Sequence, residues 1–219
     1  MVNLELSFRF LSPITRPGMP IHLDAVLLYA NIDAGMPEAQ ARALLEDAVD
    51  ATGEGENRVY CASALLFDVE LPFTRFATQK LSTLEFARAI HEGAVRDNIN
   101  NKVDCERGSL KGRMAFIPMM WAPRAKAWLR CKSPEALNTL LANVQYVGKY
   151  SNNGYGQVGS IEPVEAANPD AWQRRILPFE VDGAAQLRAT TVPPYWDRTK
   201  ARNAFMHPDL ISGQHGVFG

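Results

Sequence analysis

The chain has 219 residues, with 23 Lys and Arg against 24 Asp and Glu, a formal charge of −1, and 47% hydrophobic and 21% charged residues. That composition belongs to an ordinary globular protein and excludes a disordered tail, a collagen-like polymer or a coiled-coil rod. No apolar run is long enough for a spanning helix, and the start Met1-Val2-Asn3-Leu4-Glu5 lacks the basic and apolar regions of an export signal. Three dispersed cysteines, Cys61, Cys105 and Cys131, match neither a disulfide framework nor a zinc site, so a reducing cytoplasm, with no membrane and no cofactor, is the simplest setting.

The near-neutral total conceals a segregation. Residues 1–70 hold 4 basic and 11 acidic side chains, residues 71–149 hold 13 and 6, and residues 150–219 hold 6 and 7. A locally basic block inside a neutral chain suits a polyanion such as nucleic acid, because phosphate contacts need local cation density. The alternative is that the acidic and basic blocks pair with each other inside the fold.

In chain order, Leu4, Leu6, Phe8 and Phe10 alternate with Asn3, Glu5, Ser7 and Arg9, the pattern of a strand with one buried face. Residues 21–30 read as a short buried helix, and Pro37 opens a second one reaching about Ala51, with Ala41, Leu44, Leu45 and Ala48 on one stripe. Val59–Leu71 reads as a long strand, with Phe73–Phe76 as a continuation. Residues 80–100 read as mostly helical, and 101–113 as a polar, glycine-punctuated arm. Strands are predicted at Met114–Pro118 and Ala125–Cys131. Ser133-Pro134-Glu135 starts a helix by capping chemistry, which Gly148 ends. Val158–Val164 reads as a strand, and the prolines from residue 169 onward predict an extended, irregular tail.

Stripped of insertions, this order is β-α-β-β-α-β: an α+β, ferredoxin-like (RRM-like) fold. The expected organisation is one domain over 1–165, carrying an inserted arm at about 75–113, followed by a C-terminal wrapping segment over 166–219.

The stretch from Gly148 to Gly159 is the most informative. Gly154, Gly156 and Gly159 spell G-x-G-x-x-G, yet a helix precedes them and a strand follows, the reverse of a dinucleotide-binding unit. Glycines instead let successive backbone N–H groups face an anion. Lys149 adds charge, Asn152 and Asn153 add donors, and Tyr150 and Tyr155 add stacking faces, a mixture suited to single-stranded RNA. The plain alternative is a tight turn whose glycines only satisfy geometry.

A glycine loop between the last helix and last strand of such a unit resembles the repeat-associated RAMP proteins of CRISPR systems. Pro20–Leu27, Gly108–Gly112, Val147-Gly148-Lys149 with Gly154-Tyr155-Gly156, and Pro193–Trp196 resemble the type IV CRISPR subunit that caps the guide's five-prime handle, the type IV counterpart of the family-five Cas subunit. The resemblance implies a RAMP fold in a ribonucleoprotein of antiviral defence. It implies binding of the crRNA five-prime handle, contact with a backbone-filament subunit and a large-subunit-like partner, and a contact with target DNA. It further implies an arm folding over the guide, with Arg107, Lys111 and Arg113 as phosphate contacts beside Lys149, Tyr150, Asn152, Asn153, Gly154, Tyr155, Gly156 and His22.

Some RAMP proteins are metal-independent ribonucleases that cleave repeat RNA with a histidine, which is the alternative activity. Here His22 sits beside Asp24 at a helix start, where a structural role competes with a proton-carrying one. His91 falls on a helix next to Glu92, and His207 and His215 lie in the tail. No metal-ligand spacing is present. The expectation is a binder without a catalytic residue. Trp121 and Trp128 read as core or subunit-interface residues, Tyr195-Trp196 as packing residues with a partner-facing role as the alternative, and Met119-Met120-Trp121 as a contact patch if exposed.

Overall fold

The computed structural model describes residues 1–68, 71–79, 83–93 and 113–212. They form two compact units, Met1–Pro72 with Met120–Gly219, and Phe73–Met119.

In the larger unit the first element is strand β1 (Val2–Phe10), followed by a two-residue β2 (Ile14–Thr15), helices α1 (Leu23–Asp33) and α2 (Glu38–Ala48), and three short strands, β3 (Ala51–Thr52), β4 (Val59–Tyr60) and β5 (Leu66–Phe67). The smaller unit holds most of β6 (Leu71–Gln79), α3 (Thr83–His91) and most of β7 (Arg113–Trp121), with β6 and β7 hydrogen-bonded neighbours. The chain then returns through β8 (Arg124–Cys131), α4 (Pro134–Ala142) and β9 (Val158–Glu165), and ends with β10 (Ile176–Leu177), β11 (Ala185–Ala189), β12 (Arg202–Met206) and α5 (Pro208–Ser212).

The main sheet has the order β5-β8-β1-β9, with every neighbouring pair antiparallel. Numbering its strands in chain order gives 2-3-1-4, the arrangement of a split β-α-β unit, so the fold is ferredoxin-like as the sequence implies. Alternation in β1 holds as read: Leu6, Phe8 and Phe10 are buried, and Arg9 is exposed. One face carries α1, α2 and α4, and the core between them gathers Leu6, Phe8, Leu23, Leu27, Leu45, Leu129, Leu137 and Leu140. Asn31, fully buried, joins α1 to α4: its Nδ2 donates to the Leu27 and Leu140 carbonyls at 2.8 and 3.0 Å.

Several boundaries differ from the sequence reading for identifiable reasons. The second helix stops at Ala48 because Val49 turns extended and bridges Cys131. The helix opened by Ser133, whose Oγ accepts from the Ala136 amide at 3.2 Å, ends at Ala142 rather than Gly148. The long strand over Val59–Leu71 is broken, since its peptide groups serve different neighbours: Ser63 N–H donates to Trp128, Ala64 N–H to Arg174 and Leu65 N–H to Ile21.

The tail is more regular than its prolines suggest. Residues 176–206 include a three-stranded antiparallel sheet in the order β10-β12-β11, with Ile176, Ala189, Ala204 and Met206 in a small cluster around Ala64. Pro178, Pro193, Pro194 and Pro208 all fall outside its strands, where a missing N–H costs no ladder bond.

Candidate nucleic-acid interface

The glycine loop is built at one end of the main sheet. Its stem is a bridge between Tyr146 and Gln157. Four further bonds tie it to the segment that follows β1: Leu11 N–H donates to the Gln157 carbonyl at 2.8 Å, Gln157 N–H to the Ser12 Oγ at 2.8 Å, Gly156 N–H to the Pro13 carbonyl at 2.8 Å, and the Thr15 hydroxyl to the Lys149 carbonyl at 2.9 Å. The loop therefore has fixed ends and an outward bend.

Within the bend the glycines do different jobs. Gly156, at φ +69°, is buried so tightly that a Cβ would collide with the Val147 carbonyl, so this glycine answers to packing. Gly154, at φ +79°, has nothing near it and supplies only the left-handed turn. Tyr150 is the only non-glycine residue with positive φ among the described residues, at φ 62° and ψ 33°, immediately before a single 3-10 turn over Ser151–Asn153. That turn closes with Asn153 N–H on the Tyr150 carbonyl at 2.9 Å.

The amides of Lys149, Tyr150, Ser151 and Asn152 donate to no group among the described residues. Consecutive N–H groups in a left-handed-to-helical bend form a concavity of partial positive charge, the backbone nest that holds anions. Lys149, Tyr150, Asn152, Asn153 and Gly154 are exposed around it, with Tyr150 at 42%. Beside Gly148 and Ser151 a groove of about 430 Å³ runs to α1, lined by Tyr29, Asn143, Gln145 and Tyr146, with one carboxylate, Asp33.

The other residues named from the sequence distribute differently. Tyr155 and Gly156 are buried, so neither is presented at the surface of the bend as the sequence suggested. His22 is 3% exposed. It occupies the N-cap position of α1 without a side-chain cap bond, its ring stacks on Tyr195 with centroids 4.3 Å apart, and burial, then the Arg175 charge, hold its pKa well below the ordinary histidine value. It is not a surface contact for RNA, and Asp24 does not orient it. Arg107 and Lys111, with most of the 101–113 arm, lie outside the described residues, as do Cys105 and His215; Arg113 opens β7. Met119 and Met120 are buried, which removes the expected contact patch.

Some charge does pair internally. Lys126 meets Glu5 at 2.8 Å and Arg130 meets Asp50 at 3.4 Å, each joining the basic middle of the chain to its acidic start. His207 accepts the Asp209 amide at its Nδ1 at 3.2 Å. Among the described residues no group of His, Cys, Asp and Glu could hold a metal, and no helix is long and apolar enough to cross a bilayer.

A fully buried charge cluster escaped the sequence reading. Arg175 Nη1 donates to the Tyr60 and Ala62 carbonyls at 2.7 and 2.6 Å; its Nη2 donates to the Thr191 carbonyl at 2.8 Å and lies 3.3 Å from Asp24 Oδ2. The Tyr195 hydroxyl donates to the same carboxylate at 2.7 Å. Burial pushes the Tyr195 phenol well above its ordinary pKa, so it stays a donor. Arg175 beside Arg174 reads in sequence as surface charge; the nearest signal was Pro193-Pro194-Tyr195, a constrained tyrosine.

A ferredoxin-like sheet with a pinned glycine loop between its last helix and last strand is the arrangement that the resemblance to RAMP proteins implies. The sequence profile described as "CRISPR type IV associated protein Csf3" matches residues 2–207, and the chain belongs to that family. No curated protein matches it. The similar solved structures include two from CRISPR systems. "Cryo-EM structure of the Type III-B Cmr-beta bound to cognate target RNA" shares 11% identity over 76% of this chain and 61% of that one, at a TM-score of 0.41. "Crystal structure of a CRISPR protein from Archaeoglobus fulgidus" shares 12% identity over 94% of this chain and 84% of that one, at 0.32. This chain thus spans about three fifths of the first structure's chain.

Proposed function

We propose that the chain is a crRNA-binding subunit of a type IV CRISPR ribonucleoprotein, holding the five-prime handle of the guide at the glycine loop. The observation that carries the reading is the run of unpartnered amides from Lys149 to Asn152, ringed by an exposed lysine, two asparagines and a tyrosine. Backbone N–H groups and Lys149 take phosphate oxygens, which position a strand without reading its sequence. Tyr150 offers its ring to an unstacked base. The arm with Arg107, Lys111 and Arg113 adds phosphate contacts, and a filament subunit and a large-subunit-like protein complete the assembly around target DNA.

The role is binding without cleavage. His22 is buried and neutral, and the imidazole of His207 is engaged by the Asp209 amide, so neither is placed as a general base at the loop.

The test is the salt dependence of handle-RNA affinity. For a single strand each lost phosphate contact lowers the log–log slope by about 0.7, so Lys149→Ala flattens it by about 0.7 and Lys111→Ala/Lys149→Ala by about 1.4. Slopes equal to wild type refute the placement. Incubation with repeat RNA in EDTA checks the absence of cleavage; cleavage abolished by His91→Ala would make the protein a nuclease.

A further inference from the structure

The groove beside the glycine loop carries chemistry that the loop itself lacks. Gly148 and Ser151, which bracket the amides of Lys149 and Tyr150, belong to its wall, and so does Asp33 in the last turn of α1. Its volume of about 430 Å³ is in the range that encloses a small planar ligand. Tyr146 lines it, 37% exposed and touching no other ring among the described residues. An aromatic side chain is thereby left for stacking.

The polar groups of the wall are held by the fold. Asn31 spends its Nδ2 on the Leu27 and Leu140 carbonyls and accepts Asn143 Nδ2 on its Oδ1 at 2.8 Å. That bond fixes the Asn143 amide and leaves its Oδ1 without a donor among the described residues. Gln145 N–H donates to the Asn143 carbonyl at 2.9 Å and the Gln145 carbonyl accepts Val158 N–H at 2.8 Å, so the backbone is fixed while the exposed side-chain amide is free to donate. Asp33 is exposed, forms no ion pair among the described residues, and is the one charged side chain in the lining. A carboxylate repels phosphate, so this wall selects a neutral group rich in N–H donors.

Single-stranded RNA is read on the exposed edges of its unstacked bases. Guanine alone presents two adjacent donor positions on its Watson–Crick edge, N1–H and the N2 amino group, next to an acceptor, O6. Adenine, cytosine and uracil each offer a single donor position there. The two oxygens of a carboxylate accept two parallel N–H groups at once. We propose that the groove receives one guanine of the bound strand, with N1–H and the N2 amino group on Asp33, the second N2 hydrogen on Asn143 Oδ1, O6 on the Gln145 amide and the ring against Tyr146. The phosphate of that nucleotide sits at the amides of residues 149–152, and Tyr150 is left for a neighbouring base. The inference rests on the reading of the loop as an RNA site, and it adds base selection to contacts that otherwise only position the strand.

The test uses the full-length chain and fluorescence anisotropy with short labelled oligouridylates carrying one central guanosine, adenosine, cytidine or inosine. Inosine keeps O6 and N1–H and lacks only the N2 amino group. The expected result is that the guanosine probe binds about tenfold or more tightly than every other, inosine included. Asp33→Asn keeps the shape of the side chain and replaces one acceptor oxygen by a donor, so it should abolish the preference. Lys149→Ala should weaken all probes alike and leave the preference intact. A guanosine probe bound no better than the inosine probe, or a preference that survives Asp33→Asn, overturns the proposal; the loop reading then still stands if Lys149→Ala weakens every probe. Affinities unmoved by Lys149→Ala overturn the loop reading instead, and failure of every probe to bind overturns both.

Discussion

Tyr150 separates the two tasks of the glycine loop, because the same substitution should move stability and binding in opposite directions. An L-residue held in the left-handed region costs roughly 1–2 kcal/mol, and Tyr150 is held there at φ 62° while 42% exposed. Glycine accepts that conformation freely but is more flexible when unfolded, at a cost of roughly 0.5–1 kcal/mol. The difference leaves Tyr150→Gly about 0.7 kcal/mol more stable than wild type, a rise of about 2 °C in Tm for a chain of this size. Stacking on an aromatic ring is worth about 1–3 kcal/mol per base, so the same variant should bind handle RNA about 5- to 150-fold more weakly. Tyr150→Phe keeps the ring and should keep the affinity. Thermal melts and fluorescence anisotropy with a labelled RNA measure both. A Tm lowered by several degrees would show that the ring packs rather than strains, and an unchanged affinity would remove it from the interface.

Other expectations follow from the buried groups. Arg175→Met strips a buried carboxylate of its cation and the Tyr60, Ala62, Ile176 and Thr191 carbonyls of a donor, and should cost about 3–5 kcal/mol, read as a large loss in urea midpoint; a loss under about 1 kcal/mol would mean that the cluster is dispensable. His22 has a folded pKa depressed by burial first and by Arg175 second, so below about pH 6.5 the unfolded chain binds the extra proton and stability falls. The slope contributed is at most about 1.4 kcal/mol per pH unit for one proton, and His22→Phe should remove it; His207, lowered by its partial burial, adds a smaller part in the same direction. Burial raises the Cys61 thiol to about 11 and also raises Cys131, so both should resist alkylation at neutral pH until the protein unfolds; rapid labelling of either in the native state would contradict their burial.

What could be read from the sequence followed from local rules. The alternation of β1, the Ser133-Pro134 cap and the helix-before-glycine order are each encoded within a few residues, and they contribute to the β-α-β-β-α-β succession of elements read from the sequence. The glycine loop was legible as a concavity, but its letters could not separate roles. Tyr155 and Gly156 look as available as Tyr150 and Gly154, and only the closeness of Val147 to Gly156 shows which half of the loop is packing. The charge segregation was equally ambiguous until Glu5–Lys126 and Asp50–Arg130 showed part of it spent on internal pairs. The Asp24–Arg175–Tyr195 cluster was invisible for a different reason. Its members are 151 and 171 positions apart from Asp24, and no local pattern reports a contact made at that separation.

That cluster bears on how the tail should be regarded. A boundary near residue 165 suggests a segment that could be removed, yet Arg175 satisfies the Tyr60 and Ala62 carbonyls from inside the larger unit. Truncation after β9 would take the Arg175 donors from those two carbonyls and strip the buried Asp24 carboxylate of both its cation and the Tyr195 hydroxyl, leaving it the Ala25 amide. The same strand of reasoning explains why the glycine loop can afford four unused amides. Its ends are bonded to Pro13 and Thr15, in the segment that follows β1, so the bend is held open without using the amides of residues 149–152. A site whose donors are already aimed loses little entropy when a phosphate arrives. Thr15→Val deletes the hydroxyl that holds the Lys149 carbonyl while keeping the volume. It should weaken handle-RNA binding about 5-fold, the equivalent of one hydrogen bond, with Tm lowered by only a few degrees. If affinity survives Thr15→Val unchanged while Lys149→Ala reduces it, the lysine acts as a mobile charge and the pre-formed backbone nest is not what grips the strand.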